Sequence, residues 1–162
     1  MALPELTIRP AVEADVPTIL ALIRALAAYE KAAPDATPIT EALLRESLFG
    51  ATPAVEGLVA RLDEEVAGYA LYFHNFSSWR GRRGLYLEDL FVRPELRRRG
   101  IGRALLREVA RIAIERGCAR MEWLVLDWNR PAIDFYRSLG AAPLEEWTTF
   151  RIAGPALRAL AE

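Results

Sequence analysis

A chain of 162 residues that is 52% hydrophobic and 27% charged has the length and composition of one soluble domain with a sizeable core. Its formal net charge of −1 excludes a protein whose main business is binding a polyanion, so nucleic acid is not an expected partner. With one cysteine, Cys118, and one histidine, His74, neither a disulfide framework nor a Cys/His metal site is available; no metal is expected, and a reducing cytoplasm fits.

In chain order, "LTIRP" predicts a short strand, and Ile19, Leu22, Ile23 and Leu26 then recur at the spacing of one helix face. That helix is expected to end near Lys31, before Pro34, Asp35 and Pro38 interrupt regular structure. Thr40 is a natural N-cap for a second helix through "EALLRESLF" to Gly50. "PAVEGLVARL" and "VAGYALYFHN" flank the turn "DEE" and predict an antiparallel hairpin. "FSSWRGRRG" reads as a polar loop leading to the strand "LYLEDLFV". Beyond it come "RRRGIG" and a long helix with Ile101, Leu105, Val109 and Ile112 on one stripe, stopped by Gly117. "ARMEWLVL" predicts another strand, so the unit is a right-handed βαβ crossover with two parallel strands. "NRPAIDFYRSLG" predicts a short helix with Pro131 in its first turn and Gly140 as its stop, and "WTTFRI" a final strand. No leader segment precedes these elements, and no stretch has the ~18 apolar residues that a membrane span requires. The expectation is a single α/β domain over residues 1–162, of mixed α+β sheet type, cytoplasmic and with no membrane partner.

Gly100 and Gly102 bring bare backbone to a helix start, where amides lack intrahelical acceptors and the dipole is positive, which suits an anion. The stretch is no P-loop, because Gly-Lys-Ser/Thr is missing. Nor is it a dinucleotide fingerprint, because position 105 is leucine. By itself it could equally be a tight turn.

The surrounding residues go further. "FVRPELRRRGIGRALL" resembles the acetyl-coenzyme A motif of the GNAT superfamily of N-acetyltransferases, with Arg97, Gly100 and Gly102 at the motif positions. "NRPAIDFYRSLGA" is similar to that superfamily's second motif, with Asn129, Ala132, Phe135, Tyr136 and Gly140 matching. "AAYEK", "SSWRG", "LYLEDLFV" and "VLDWN" look like the spermidine/spermine and thialysine N-acetyltransferase subfamily, on Tyr29, Glu30, Trp79, Glu88 and Asp89. One departure concerns the substrate: Ser77 stands where the polyamine enzymes of that group carry an aspartate, as in thialysine-type enzymes.

The resemblance implies the GNAT fold, a mostly antiparallel mixed sheet with one parallel crossover, flanked by helices. It also implies acetyl-CoA as co-substrate, a small cationic amine as acceptor and a homodimer. Coenzyme contacts would fall on Leu90, Phe91, Val92, Arg97, Arg98, Arg99, Gly100, Ile101, Gly102, Arg103, Asn129 and Ala132. Tyr29, Glu30, Trp79, Glu88, Asp89 and Glu145 or Glu146 would face the amine. Tyr136 would protonate the departing thiolate, and Glu88 would take the amine's proton, through a water. Each residue also has an ordinary structural reading. Tyr136 could be a core aromatic, Glu88, Glu30 and Asp89 surface charges, Asn129 a helix cap, Trp79 a dimer contact, and Arg98, Arg99 and Arg103 solvation of a helix start. The competing functions are a GNAT enzyme acting on a protein N-terminus, a lysine or an aminoglycoside-type amine, and a non-catalytic coenzyme-A-binding sensor or interaction module.

Overall fold

Asp63 and Glu64 turn the chain between two long strands, with Asp63 at φ 54°, and this hairpin is the heart of a five-stranded sheet. The structure is a computed structural model that describes residues 5–33 and 35–162; Pro34, expected to interrupt regular structure, lies outside them. The strands are β1 (Leu6–Pro10), β2 (Glu56–Leu62), β3 (Glu65–Ser77), β4 (Arg82–Val92) and β5 (Met121–Glu122). They lie in the order β1-β2-β3-β4-β5, antiparallel except for the parallel pair β4–β5. The helices are α1 (Val16–Tyr29), α2 (Glu41–Phe49), α3 (Ile101–Glu115), α4 (Arg130–Ser138) and α5 (Gly154–Ala161). The chain forms two compact units, one ending at Leu124 and one from Val125 to Glu162. Among the described residues no helix is long and apolar enough to cross a membrane.

In the first unit, the 3.6-residue period of α1 puts Ile19 and Leu22 into a core with Leu44 and Leu48 of α2 and with Val59, Tyr69, Leu71 and Phe91 of the sheet. Ile23 and Leu26 pack at its edge. Each fully buried aliphatic side chain there stabilises the fold by ~1.5–3 kcal/mol. Thr40 caps α2 by accepting from the Leu43 amide. The stripe Ile101, Leu105, Val109 and Ile112 of α3 is buried as well, and α3 packs on β3 and β4.

One irregularity in the sheet matters for function. Leu71 pairs with Asp89 but Tyr72 pairs with Leu87, so Glu88 is an extra residue in β4, a β-bulge. Asp89 and Phe91 therefore share the face of Leu71 and Tyr69, towards α1, while Leu87 follows Tyr72 to the other face.

Three expectations need correction. "FSSWRGRRG" is not a loop throughout, because β3 runs to Ser77 and β4 starts at Arg82. The strand after α3 is only Met121–Glu122, as its parallel partner pairs there through Leu85 and Tyr86 alone. "WTTFRI" forms no strand; no described segment offers it a hydrogen-bonded ladder, and apolar alternation alone does not hold a strand. Helix α5 was not expected, although Pro155 in its first turn and the three-residue spacing of Leu157 and Leu160 are its signals.

Asp15 ties β1 to the start of α1. Its carboxylate accepts from both terminal nitrogens of Arg9, at 2.7 and 2.9 Å, and from the Val12 amide at 2.8 Å. The Arg9 hydrogen bonds hold its pKa below the usual carboxylate range. Asp15→Asn should therefore cost about 2 kcal/mol, less than the ~3–5 of a fully buried pair because Arg9 is partly exposed. A depressed carboxylate stabilises above its unfolded pKa and loses that contribution as pH falls through the folded one. In denaturant titrations the gap between the two proteins should close in acid; a gap that persists unchanged there counts against the ion pair.

Candidate active site

The segment joining β4 to α3 is built for a backbone approach. Arg98 and Gly100 both take left-handed backbone, at φ 63° and 79°, and Gly100 is the N-cap of α3. The first bond of the helix ladder there is from the Ala104 amide to the Gly100 carbonyl, so the amides of Ile101, Gly102 and Arg103 precede it and point out of the helix start. A Cβ at Gly100 would meet no atom within 4 Å, which leaves that approach open. Such alternation of backbone conformation before a helix makes a concave, anion-attracting row of N–H groups.

Arg97 holds this loop in place. Its Nε donates to the Val92 carbonyl at 3.0 Å, and its guanidinium lies 4.5 Å from the Tyr29 ring centre and 5.4 Å from that of Phe91. The side chain thus turns back onto β4 and α1. Phe91 and Ile101 are buried, so their contribution to a coenzyme site is backbone too.

Beside the loop, three carboxylates gather. Glu88 is exposed at the bulge, Asp89 is mostly buried, and Glu30 caps α1 directly after Tyr29. Burial raises the Asp89 carboxyl to about 6; Glu88 and Glu30 push the same way, against a hydrogen bond from the Tyr69 hydroxyl. Burial also raises Glu30. These groups make a negative field past the middle of β4, on the strand that leads into the loop before α3. A cation and an anionic carrier can be held side by side.

The structure keeps Trp79 apart from that cluster. It sits 89% exposed at the tip of the β3–β4 hairpin, and Arg82 alone is already about 20 Å along the strand from Glu88 at ~3.3 Å per residue. Ser77 is buried below the tip and accepts from the Arg80 amide at 3.3 Å, so it shapes the turn.

The second unit carries the other predicted residues. Asn129 is 8% exposed and caps α4, its side chain accepting from the Ala132 amide at 3.4 Å. Tyr136 is half-buried on α4, its ring 5.4 Å from that of Phe135. Glu145 and Glu146 lie exposed in irregular chain.

The acetyltransferase (GNAT) family profile matches residues 22–141. This chain belongs to the GNAT acetyltransferase family. It is 44% identical over 165 residues to the thialysine N-epsilon-acetyltransferase of Bos taurus, covering 95% of this chain and 96% of the relative. It is 45% identical over 98 residues to the L-ornithine N5-acetyltransferase NATA1 of Arabidopsis thaliana, covering 60% of this chain and 43% of that protein. Among solved structures, the integron cassette protein VCH_CASS6 from the mobile metagenome of V. cholerae superposes with a TM-score of 0.80 at 27% identity, covering 97% of this chain and 98% of that one. This GNAT protein is an N-acetyltransferase, of a family whose members use acetyl-CoA as co-substrate. The mixed sheet with one parallel pair is the expected fold.

Sequence reading passed over Tyr69, whose hydroxyl lies 3.0 Å from Asp89 Oδ2. Its signal was weak, since a tyrosine inside "VAGYALYF" looks like any apolar strand residue.

Asp89 loses its proton at about 6 in this fold but at ~3.9 in an unfolded chain. Between those values the folded state holds a proton that the unfolded chain has released, so stability falls as pH rises through the window. Above it the charged carboxylate costs about 3 kcal/mol. Asp89→Asn keeps an acceptor for Tyr69 and should unfold several degrees higher than wild type at pH 7–8, with the difference shrinking towards pH 4. Calorimetric scans across that range check it, and a less stable variant at neutral pH would contradict the electrostatic account.

Proposed function

We propose that this chain acetylates the side-chain amine of thialysine or another lysine-like amino acid, or one end of a short diamine, by direct attack on acetyl-CoA in a ternary complex. The observation that carries the reading is the gathering of Glu30, Glu88 and Asp89 at the bulge of β4, beside the open amides that lead into α3. Support comes also from relatives whose names denote acetyl transfer to a side-chain nitrogen, N-epsilon in one and N5 in the other.

The amines in question are protonated at neutral pH, and the nucleophile is the neutral form. Asp89 and Glu30 attract the ammonium, and Glu88, exposed at the bulge, takes its proton through a water. The amides of Arg98, Arg99, Gly100, Ile101, Gly102 and Arg103 hold the pyrophosphate, and Asn129 and Ala132 the remainder of the coenzyme. The backbone of Leu90, Phe91 and Val92 aligns the carrier's arm and polarises the thioester carbonyl, a contribution of ~3 kcal/mol in other enzymes. Tyr136 gives its proton to the departing thiolate. Tyr29 frames the amine next to Glu30, and Glu145 or Glu146 is the further acidic residue assigned to it. Trp79, distant from Glu88 along the hairpin, is assigned to the contact between two copies in a homodimer. The whole chain acts as a single cytoplasmic domain that needs neither nucleic acid, membrane nor metal.

A panel of amines assayed for release of free coenzyme A tests the substrate. Thialysine, lysine-like amino acids and short diamines should show higher kcat/KM than spermine, because a short groove of carboxylates suits one reacting amine. A preference for spermine, or acetylation only of a protein terminus or an aminoglycoside, overturns the reading. Absence of turnover with every amine, alongside tight acetyl-CoA binding, would favour a sensor.

The donor role has its own test. Tyr136→Phe should lower kcat by ~10²-fold or more with little change in acetyl-CoA affinity, the usual loss when a proton-transfer group is removed. Near-normal turnover would return the donor role to water.

A further inference from the structure

Tyr69 is completely buried among Val59, Leu71 and Phe91, all apolar, where a phenylalanine would fill the same ring volume with no hydroxyl to satisfy. The hydroxyl has one purpose visible in the fold: it donates to Asp89 Oδ2 at 3.0 Å. Register explains the meeting. Tyr69 opposes Phe91 and Leu71 opposes Asp89, so tyrosine and aspartate are diagonal neighbours on one face, within reach of a long side chain.

We propose that Tyr69 is a positioning residue for substrate recognition, a fixed donor that locks the Asp89 carboxylate and keeps it available to a cationic amine. This rests on the reading of Asp89 as a carboxylate that faces the substrate. With Oδ2 held by a ring that cannot move, Oδ1 is the oxygen the ammonium takes.

Three titratable groups face Asp89: Tyr69 from β3, Glu88 from its own strand and Glu30 from the end of α1. The two glutamates favour its protonated form, and Tyr69 alone of the three favours its charged form. Burial, with the charge of Asp89, pushes the Tyr69 phenol well above its ordinary range, so it stays protonated and remains a donor throughout the working pH. Without it, the Asp89 carboxyl moves further up from about 6 and more of it holds a proton where it should hold an ammonium.

The test compares wild type, Tyr69→Phe and Asp89→Asn in steady-state kinetics with thialysine from pH 6 to 9, together with acetyl-CoA affinity and thermal stability. Tyr69→Phe should shift the acidic limb of kcat/KM upward by about one unit, which raises KM about two-fold at pH 7 and about five-fold at pH 6, and leave acetyl-CoA affinity unchanged. Its KM should converge on wild type towards pH 9, where Asp89 is charged in both; titration of the amine itself cancels in the ratio. Asp89→Asn should raise KM at every pH without converging. A carbon-13 NMR titration of the Asp89 carboxyl reads the same upward shift without turnover. If Asp89→Asn raises KM but Tyr69→Phe moves neither the limb nor the carboxyl titration, Tyr69 is a packing residue and the proposal is overturned. If Asp89→Asn leaves KM at the wild-type value, the underlying reading of Asp89 fails first, and the role of Tyr69 falls with it.

Discussion

The slip in pairing between β3 and β4 is the constraint on which the site depends. With strict alternation, Leu85, Leu87, Asp89 and Phe91 would share one face of the sheet. Either the two leucines would then lie under α1 or Asp89 and Phe91 would be carried to the α3 side. The extra residue at Glu88 divides the strand instead, sending Leu87 to the face of Tyr72 and Asp89 to that of Tyr69. One strand thereby supplies apolar surface to both helical layers and still presents two successive carboxylates. A bulge leaves its extra residue outside the regular ladder, and that is how Glu88 comes to be exposed in the middle of a core strand.

Arg97 joins this region to the anion-binding loop. Hydrogen-bonded to the end of β4 and stacked on Tyr29, it links the last turn of α1 to the turn before α3. Because Glu30 follows Tyr29 directly, the acidic cluster and the loop amides are parts of one rigid arrangement. Glycine at position 100 answers a backbone need, since φ there is 79°.

Much of this was legible in the sequence, for reasons that differ by element. The helices α1 and α3 announce themselves because their apolar residues repeat over three or four turns, and the Asp63 turn because two apolar runs flank it closely. The fold and the coenzyme loop came from motifs that combine glycines with neighbouring residues at fixed spacing. The short extent of β5 was not legible, since the stretch up to Leu126 is apolar enough for a longer strand and only its partner's register limits it. The same holds for "WTTFRI", whose composition suits a strand that finds no ladder. The role of Tyr69 depends on a register slip two strands' length away in sequence, 20 residues from its partner. No local pattern encodes that distance.

The acidic cluster also sets how protons and substrate interact. Keeping Asp89 charged at neutral pH opposes folding, and the apolar contacts of Tyr69, Leu71 and Phe91 around it offset that cost many times over. A substrate ammonium placed against the cluster would favour the charged form, so amine and proton compete for the same carboxylate. Their competition is reciprocal: whatever factor a bound amine applies to the proton affinity of Asp89, a bound proton applies to the amine affinity. On the proposed role of Asp89, affinity for a cationic substrate should weaken as pH falls through about 6, where Asp89 titrates. Glu88, by contrast, is exposed at the bulge. A single bulge thus gives the two neighbouring carboxylates different surroundings, which is what the proposed division between binding the amine's charge and accepting its proton requires.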